Sequence, residues 1–358
     1  KLFTLVTVLA IYWIATFIAL KGLNWVGKIS KWGGMIGTII PAGLLIVLGI
    51  IYIASGGHNN MDMSQGFFPD LTKLDNLVLA SSIFLFYAGM EMMGVHVMDV
   101  ENPSRNYPKA IIIGSLATVA IFILGTFSLG FIIPAKDINL TQSLLIGFDN
   151  YFRHFHISWA GPLIAIALMF GVLASVLTWV AGPSKGIFTV GKAGYLPPYF
   201  QKTNENGVQQ NILLVQGIIV TLLSLLFVVM PSVQSFYQIL SQLTILLYLI
   251  MYMLMFAAAI TLRYKMKDTP RPFRLGKGNA FMWIMGSVGF GGSLLAFVLS
   301  FIPPGQIATG SNTVWYTVLI AGCIIMVAIP LIIYALRKPS WRDPDAEFAP
   351  FHWENKAK

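Results

Sequence analysis

Apolar runs long enough to cross a bilayer recur from one end of this sequence to the other, with polar stretches between them. They cover residues 2–20, 32–54, 77–98, 110–133, 158–190, 211–230, 235–262, 280–302 and 313–336, about nine crossings. A hydrocarbon core about 30 Å thick needs roughly 20 apolar residues in helical form, against only ~9–11 in a strand. Within that core a chain satisfies its own backbone only as a helix or a closed barrel. The run lengths select helices. Composition supports this, since 56% of the 358 residues are hydrophobic and 10% are charged, where a soluble domain has about 25% charged residues. The chain is therefore read as an all-α, polytopic integral membrane protein.

The formal charge of +9 would suggest nucleic acid in a soluble protein. Here the cations fall in alternate loops, which is the topology signal of basic loops facing the cytoplasm. Lys21, Lys28 and Lys31 follow the first run, and Arg105 and Lys109 follow the third. Lys192 and Lys202 lie after the fifth, residues 263–277 form the most basic loop, and Arg337-Lys338 follow the last run. Residues 55–76 and 134–156 become external loops, and Pro231 and Pro303-Pro304-Gly305 mark external turns. The run 158–190 exceeds one straight span, so it must tilt, bend near Gly182-Pro183 or continue past the membrane. This divides the chain into a transmembrane domain over residues 1–336 and a cytoplasmic tail over 337–358. A single cysteine, Cys323, excludes a disulfide within the chain, and no residue pattern calls for a cofactor or a metal.

The third run carries the one carboxylate placed near the middle of a crossing, Glu91, between Gly89 and Gly94. A charge at the bilayer centre costs several kcal/mol, about 2.5–3.5 on insertion scales, and such residues mark substrate or ion pathways. Desolvation and titration make Glu91 a candidate proton-carrying or substrate-contacting group; the alternative is a glutamate that bridges helices. The glycines predict an interrupted helix, the device by which transporters open backbone groups to a substrate at mid-membrane depth. His96, further along, reads as interfacial. Trp179 lies deep in its run and serves either as a gate or as packing. Tyr248 and Tyr252, spaced i, i+4, share one helix face and can form a polar cavity wall. Lys185 is read as a snorkelling anchor. A membrane-embedded enzyme would need a nucleophile and base, or metal ligands, converging within spans, and a proton-channel subunit would need lysines near several span centres. Neither set is present in the sequence.

Certain stretches also carry a family resemblance. Phe-Leu-Phe-Tyr-Ala-Gly-Met-Glu at 84–91, then Glu101-Asn102-Pro103 and Asn106-Tyr107-Pro108-Lys109-Ala110, resemble the sixth helix and exit loop of amino acid–polyamine–organocation transporters. Gly182-Pro183-Ser184-Lys185-Gly186 and Gly194-Tyr195-Leu196-Pro197-Pro198 are similar to that family's eighth helix and its following loop. The Trp-Val-Ala-Gly-Pro-Ser-Lys-Gly run, residues 133–140 and the tyrosine pair are most similar to the bacterial glutamate/γ-aminobutyrate antiporters. The resemblance covers essentially the whole chain as helices four to twelve of twelve. Together with the odd span count, it implies three N-terminal helices that would hold much of the substrate. It further implies inverted repeats and broken helices, with alternating access between the two sides of a bacterial inner membrane. Glu91, Phe86, Gly89, Trp179, Tyr248 and Tyr252 then fall at substrate-binding or gating positions. The implied partners are small amino-acid and amine substrates and the lipid bilayer, with no nucleic acid; a homodimer is compatible with this class. An exchange of an amino acid for its decarboxylation product is the implied activity. Proton-coupled symport, and tyrosine/tyramine or agmatine/putrescine exchange, are the alternatives. Two positions depart from the pattern: Ser175 stands where glutamate-exchanging members can carry an acidic residue, and Asn206-Gly207-Val208-Gln209 lacks the proline that usually follows the glycine.

Overall fold

The computed structural model describes residues 2–61, 68–139, 141–230, 232–271, 273–274, 276, 278–305 and 311–344. Pro231, parts of the basic loop 263–277 and the tail beyond residue 344 lie outside the described residues. Helices account for all the regular structure among the described residues. In chain order they are α1 (Leu2–Leu20), α2 (Leu23–Gly34), α3 (Ile40–Ala54), α4 (Leu74–Ser82), α5 (Phe84–Tyr87), α6 (Pro103–Ile132) and α7 (Ser143–His154). There follow α8 (Gly161–Val190), α9 (Gln210–Ser224), α10 (Leu226–Val229), α11 (Val233–Lys265), α12 (Asn279–Leu299) and α13 (Asn312–Ala335). A π-turn at Met35–Ile39 joins α2 to α3 into one continuous rod.

Eight of these segments are long and apolar enough to span a membrane, α2 and α3 counting as one and α9 with most of α10 as another. The ninth expected crossing, residues 77–98, is the exception. It is broken into α4, α5 and a 3₁₀ stretch at Met90–Asp99. Two further expectations are corrected. Arg105 and Lys109 are not in a free loop but in the first turns of α6, which starts at Pro103; proline suits the first turn because it has no N–H to leave unpaired. Residues 134–156 are not simply an external loop, because α7 lies within them. The long fifth run, expected to tilt, bend near Gly182-Pro183 or continue past the membrane, is helical as far as Val190. Helix α8 continues through Pro183 and ends in a π-turn, Gly191–Tyr195, with Gly194 at φ 96°.

The chain forms two compact units. The first comprises Lys1–Phe68, Ser115–Gln234 and Pro339–Trp341. In it α8 packs on α1, α2 and α9. The crossing with the α2–α3 rod is made by glycines: a Cβ on Gly37 would lie 2.2 Å from the Gly171 amide nitrogen, and one on Gly33 would lie 2.2 Å from the Ala174 Cβ. Small residues let membrane helices approach backbone to backbone, where dispersion replaces the missing hydrophobic drive. One core cluster joins Ala15, Ala19, Leu177, Val180 and Leu213. A second joins Leu45, Leu48 and Tyr52 to Phe148, Tyr151, Phe152 and Ile164, which seats α7. The Tyr151 hydroxyl donates to the Ser128 carbonyl of α6, and burial pushes its phenol pKa upward.

The second unit comprises Pro69–Gly114, Ser235–Lys338 and Arg342–Lys358. Helix α12 packs on α4, and Ile245, Leu249 and Ala296 form a small core. The Trp315 indole is fully buried and donates to the Phe301 carbonyl at 2.8 Å. At the end of α11, Arg263 donates to the carbonyls of Gly276 and Gly278, both at 3.0 Å. Arg271 donates to those of Leu262 and Met266, both at 2.9 Å. The basic loop thus satisfies carbonyls at and beyond the last turns of the helix.

Candidate functional site

The site of interest lies within the second unit, at the break in the third apolar run. Gly89 has φ 108° and ψ −8°, in the left-handed region. That conformation costs a residue with a Cβ about 1–2 kcal/mol, so glycine is the residue that lets the chain turn there. Glu91 follows as the second residue of the 3₁₀ stretch. The break therefore sits beside the carboxylate, as the flanking glycines predict.

Across from it, α11 presents Tyr248 and Tyr252 one turn apart, with ring centroids 5.8 Å apart and planes tilted by 57°. The Tyr252 hydroxyl donates to Glu91 Oε2 at 2.9 Å. The Gly89 N–H, released from helical pairing by the break, reaches the same Oε2 at 3.1 Å and the Tyr252 hydroxyl oxygen at 3.3 Å. Glu91 Oε1 is buried and meets no hydrogen-bond donor among the described residues. One carboxylate oxygen is thus held by two donors while the other stays buried and unmatched. An unmet buried acceptor costs about 1–3 kcal/mol, and more when charged. A donor brought to that oxygen, such as an ammonium group, would match it.

The structure thus brings Glu91, Gly89 and Tyr252 into direct hydrogen bonding and stacks Tyr248 beside them. Phe86 lies on α5 in the preceding turn, with 46% of its surface exposed. Trp179 belongs to the first unit, on α8, where it is 43% exposed and shares an exposed face with Ser175. The side chain of His96 lies outside the described ones. Tyr107 was missed by sequence reasoning as a site residue. Its hydroxyl stands 3.7 Å from where a Gly94 Cβ would be, beside the 3₁₀ stretch that carries Glu91. The signal was present in the Asn-Tyr-Pro-Lys motif, but an apparent exit loop gave no reason to fold that tyrosine back on the break.

Comparison with known proteins places this architecture. The amino acid permease family model matches residues 1–329. An uncharacterised transporter of Legionella pneumophila is 33% identical over 330 residues, 92% of this chain and 71% of that protein. A glutamate/γ-aminobutyrate antiporter of Lactococcus lactis is 32% identical over 340 residues, covering 94% of this chain and 67% of its own length. A probable agmatine/putrescine antiporter of the same species is 25% identical over 302 residues, 84% and 64% of the two chains.

Proposed function

Since the chain belongs to the amino acid permease family and is a multi-pass membrane transporter, we propose that it is an antiporter exchanging an amino acid for its decarboxylation product. Glutamate and γ-aminobutyrate are the pair favoured by the 32%-identical relatives that carry that name. The cytoplasmic membrane of a bacterium is the expected location, with the tail after residue 336 on the cytoplasmic side, because the basic loops share that side.

The observation that carries the reading is the half-satisfied carboxylate at the break. Glu91 Oε2 is held by Tyr252 and Gly89, while the buried Oε1 meets no donor among the described residues. Amino acids and their decarboxylation products share an ammonium group, and a buried carboxylate oxygen accepts it or exchanges a proton for it. The interrupted helix at the break is the kind of site where transporters bind substrate, and alternating access moves the loaded site between the two sides. Tyr248, Phe86 and Trp179 are assigned to the walls and gates of the pathway. No step requires a cofactor.

The test is counterflow in proteoliposomes. Labelled glutamate should enter vesicles loaded with γ-aminobutyrate several times faster than empty ones. Uptake into empty vesicles that follows an imposed proton gradient, without stimulation by internal amine, would instead assign proton symport. Stimulation only by tyramine or putrescine, with tyrosine or agmatine outside, would keep the exchange and change the pair.

A further inference from the structure

A cavity of about 380 Å³ lies wholly within the first unit, where the ends of α1 and α8 meet the starts of α2 and α9. Lys21, Lys185, Asn24 and Asn206 give it a basic, amide-rich lining, while Val26 and Phe188 contribute apolar wall. None of its lining residues is acidic. The rim is rigid. Asn204 donates to the Leu20 carbonyl at 2.8 Å, and its side-chain oxygen accepts the amides of Asn206 and Val208, both at 3.0 Å. The floor is tied by the buried Gln209 amide, which donates to the Ser184 hydroxyl at 2.8 Å. Gly22 opens α2, whose first turn holds no acidic residue and no side-chain cap. The positive end of its dipole adds to the field of the two lysines.

We propose that this cavity binds a phosphate-bearing anion, the headgroup of an acidic phospholipid. Two ammonium groups and carboxamide donors around a preformed hollow match a phosphate in charge and hydrogen bonding. The apolar wall at the ends of two membrane spans suits the glycerol and upper acyl region beside that headgroup, as in basic pockets between transmembrane helices. Free phosphate shares the anionic chemistry but has no use for Val26 and Phe188. Lys185 is then a ligand group and not only the anchor that its sequence position suggests.

The experiment is thermal unfolding of the purified, detergent-solubilised protein titrated with short-chain phosphatidylglycerol, short-chain phosphatidylcholine or inorganic phosphate. Phosphatidylglycerol should raise Tm in a saturable way at concentrations where phosphatidylcholine does not. In Lys21→Gln/Lys185→Gln its apparent affinity should fall roughly 10- to 30-fold, from about 1 kcal/mol per basic residue. A charge-matched control, Lys28→Gln/Lys31→Gln, should keep the wild-type response. If phosphate alone reproduces the whole shift in a lysine-dependent way, the anion site stands and its ligand is the free ion. If the double variant does not fold, Lys185→Gln and Asn206→Ala are titrated singly, and each should weaken the phosphatidylglycerol response. Equal responses to the two lipids in the wild type, or variants at the cavity that keep the preference, would overturn the proposal.

Discussion

The Glu91 carboxylate is divided between its two oxygens, and that division makes distinct predictions for its neighbours. Tyr252→Phe removes one of two donors to Oε2 while keeping the ring. A hydrogen bond to a charged group contributes about 1.5–3 kcal/mol, so exchange should slow by at least roughly tenfold if the fixed orientation matters to transport. Tyr248→Phe, which leaves that hydrogen bond in place, should cost less; equal losses in initial-rate assays would argue against Oε2 fixation as the reason. Glu91→Gln keeps the shape and abolishes titration. Under the proposed role it inserts and folds but loses most exchange, or loses the dependence of exchange on pH. A well-expressed Gln variant with wild-type rates across the pH range would return Glu91 to a helix-bridging role. The residue types were legible in the sequence: an isolated carboxylate, two glycines and a tyrosine pair at helical spacing. Which tyrosine touches the carboxylate was not, because i, i+4 spacing fixes a shared face and not what lies opposite it.

Among the elements, the broken third crossing and the α2–α3 rod use glycine for opposite reasons. At Gly89 the backbone conformation demands it, whereas at Gly37 the neighbour does, a Cβ there falling 2.3 Å from Gly171 Cα. Gly37→Ala should therefore destabilise the first unit by about 1–3 kcal/mol through overpacking, with no rotamer available to relieve a clash against backbone. Gly34→Ala, where nothing lies within 4 Å of the added Cβ, should be neutral or slightly stabilising in the same thermal-unfolding assay. Helix α7 gives a third comparison. Tyr151→Phe leaves the Ser128 carbonyl in a buried setting without the phenol that meets it, for an expected loss of about 1–3 kcal/mol. Sequence reading took the region of α7 as a loop because Asp149, Arg153 and His154 interrupt its hydropathy. The signal that could have found it is the helical spacing of Leu144, Phe148, Tyr151, Phe152 and Phe155, an amphipathic stripe too short to span a membrane.

For the molecule as a whole, the all-helical class and eight of the nine expected crossings follow from hydropathy. Only helices and closed barrels satisfy their own hydrogen bonds in hydrocarbon, so apolar runs of about 20 residues, too long for barrel strands, predict helical spans. The family was legible too, since the Phe/Gly/Glu helix with its Asn-Pro and Pro-Lys-Ala exit recurs as a set, and the family model covers residues 1–329. Exchange itself is the prediction at this scale: stimulation of labelled uptake by internal amine, absent in Glu91→Gln, would tie the whole-molecule activity to the break. The tertiary structure alone decided where the polar groups go. It placed Tyr107 near the break and Arg105 and Lys109 in the first turns of a helix. It also gathered Lys21 and Lys185, 164 positions apart in the sequence, around one cavity. The physical reason is one of range. Hydropathy and backbone satisfaction act within a segment and can be read along it. Hydrogen bonds, close glycine contacts and paired cations join segments distant in sequence, and their partners exist only once the helices have packed.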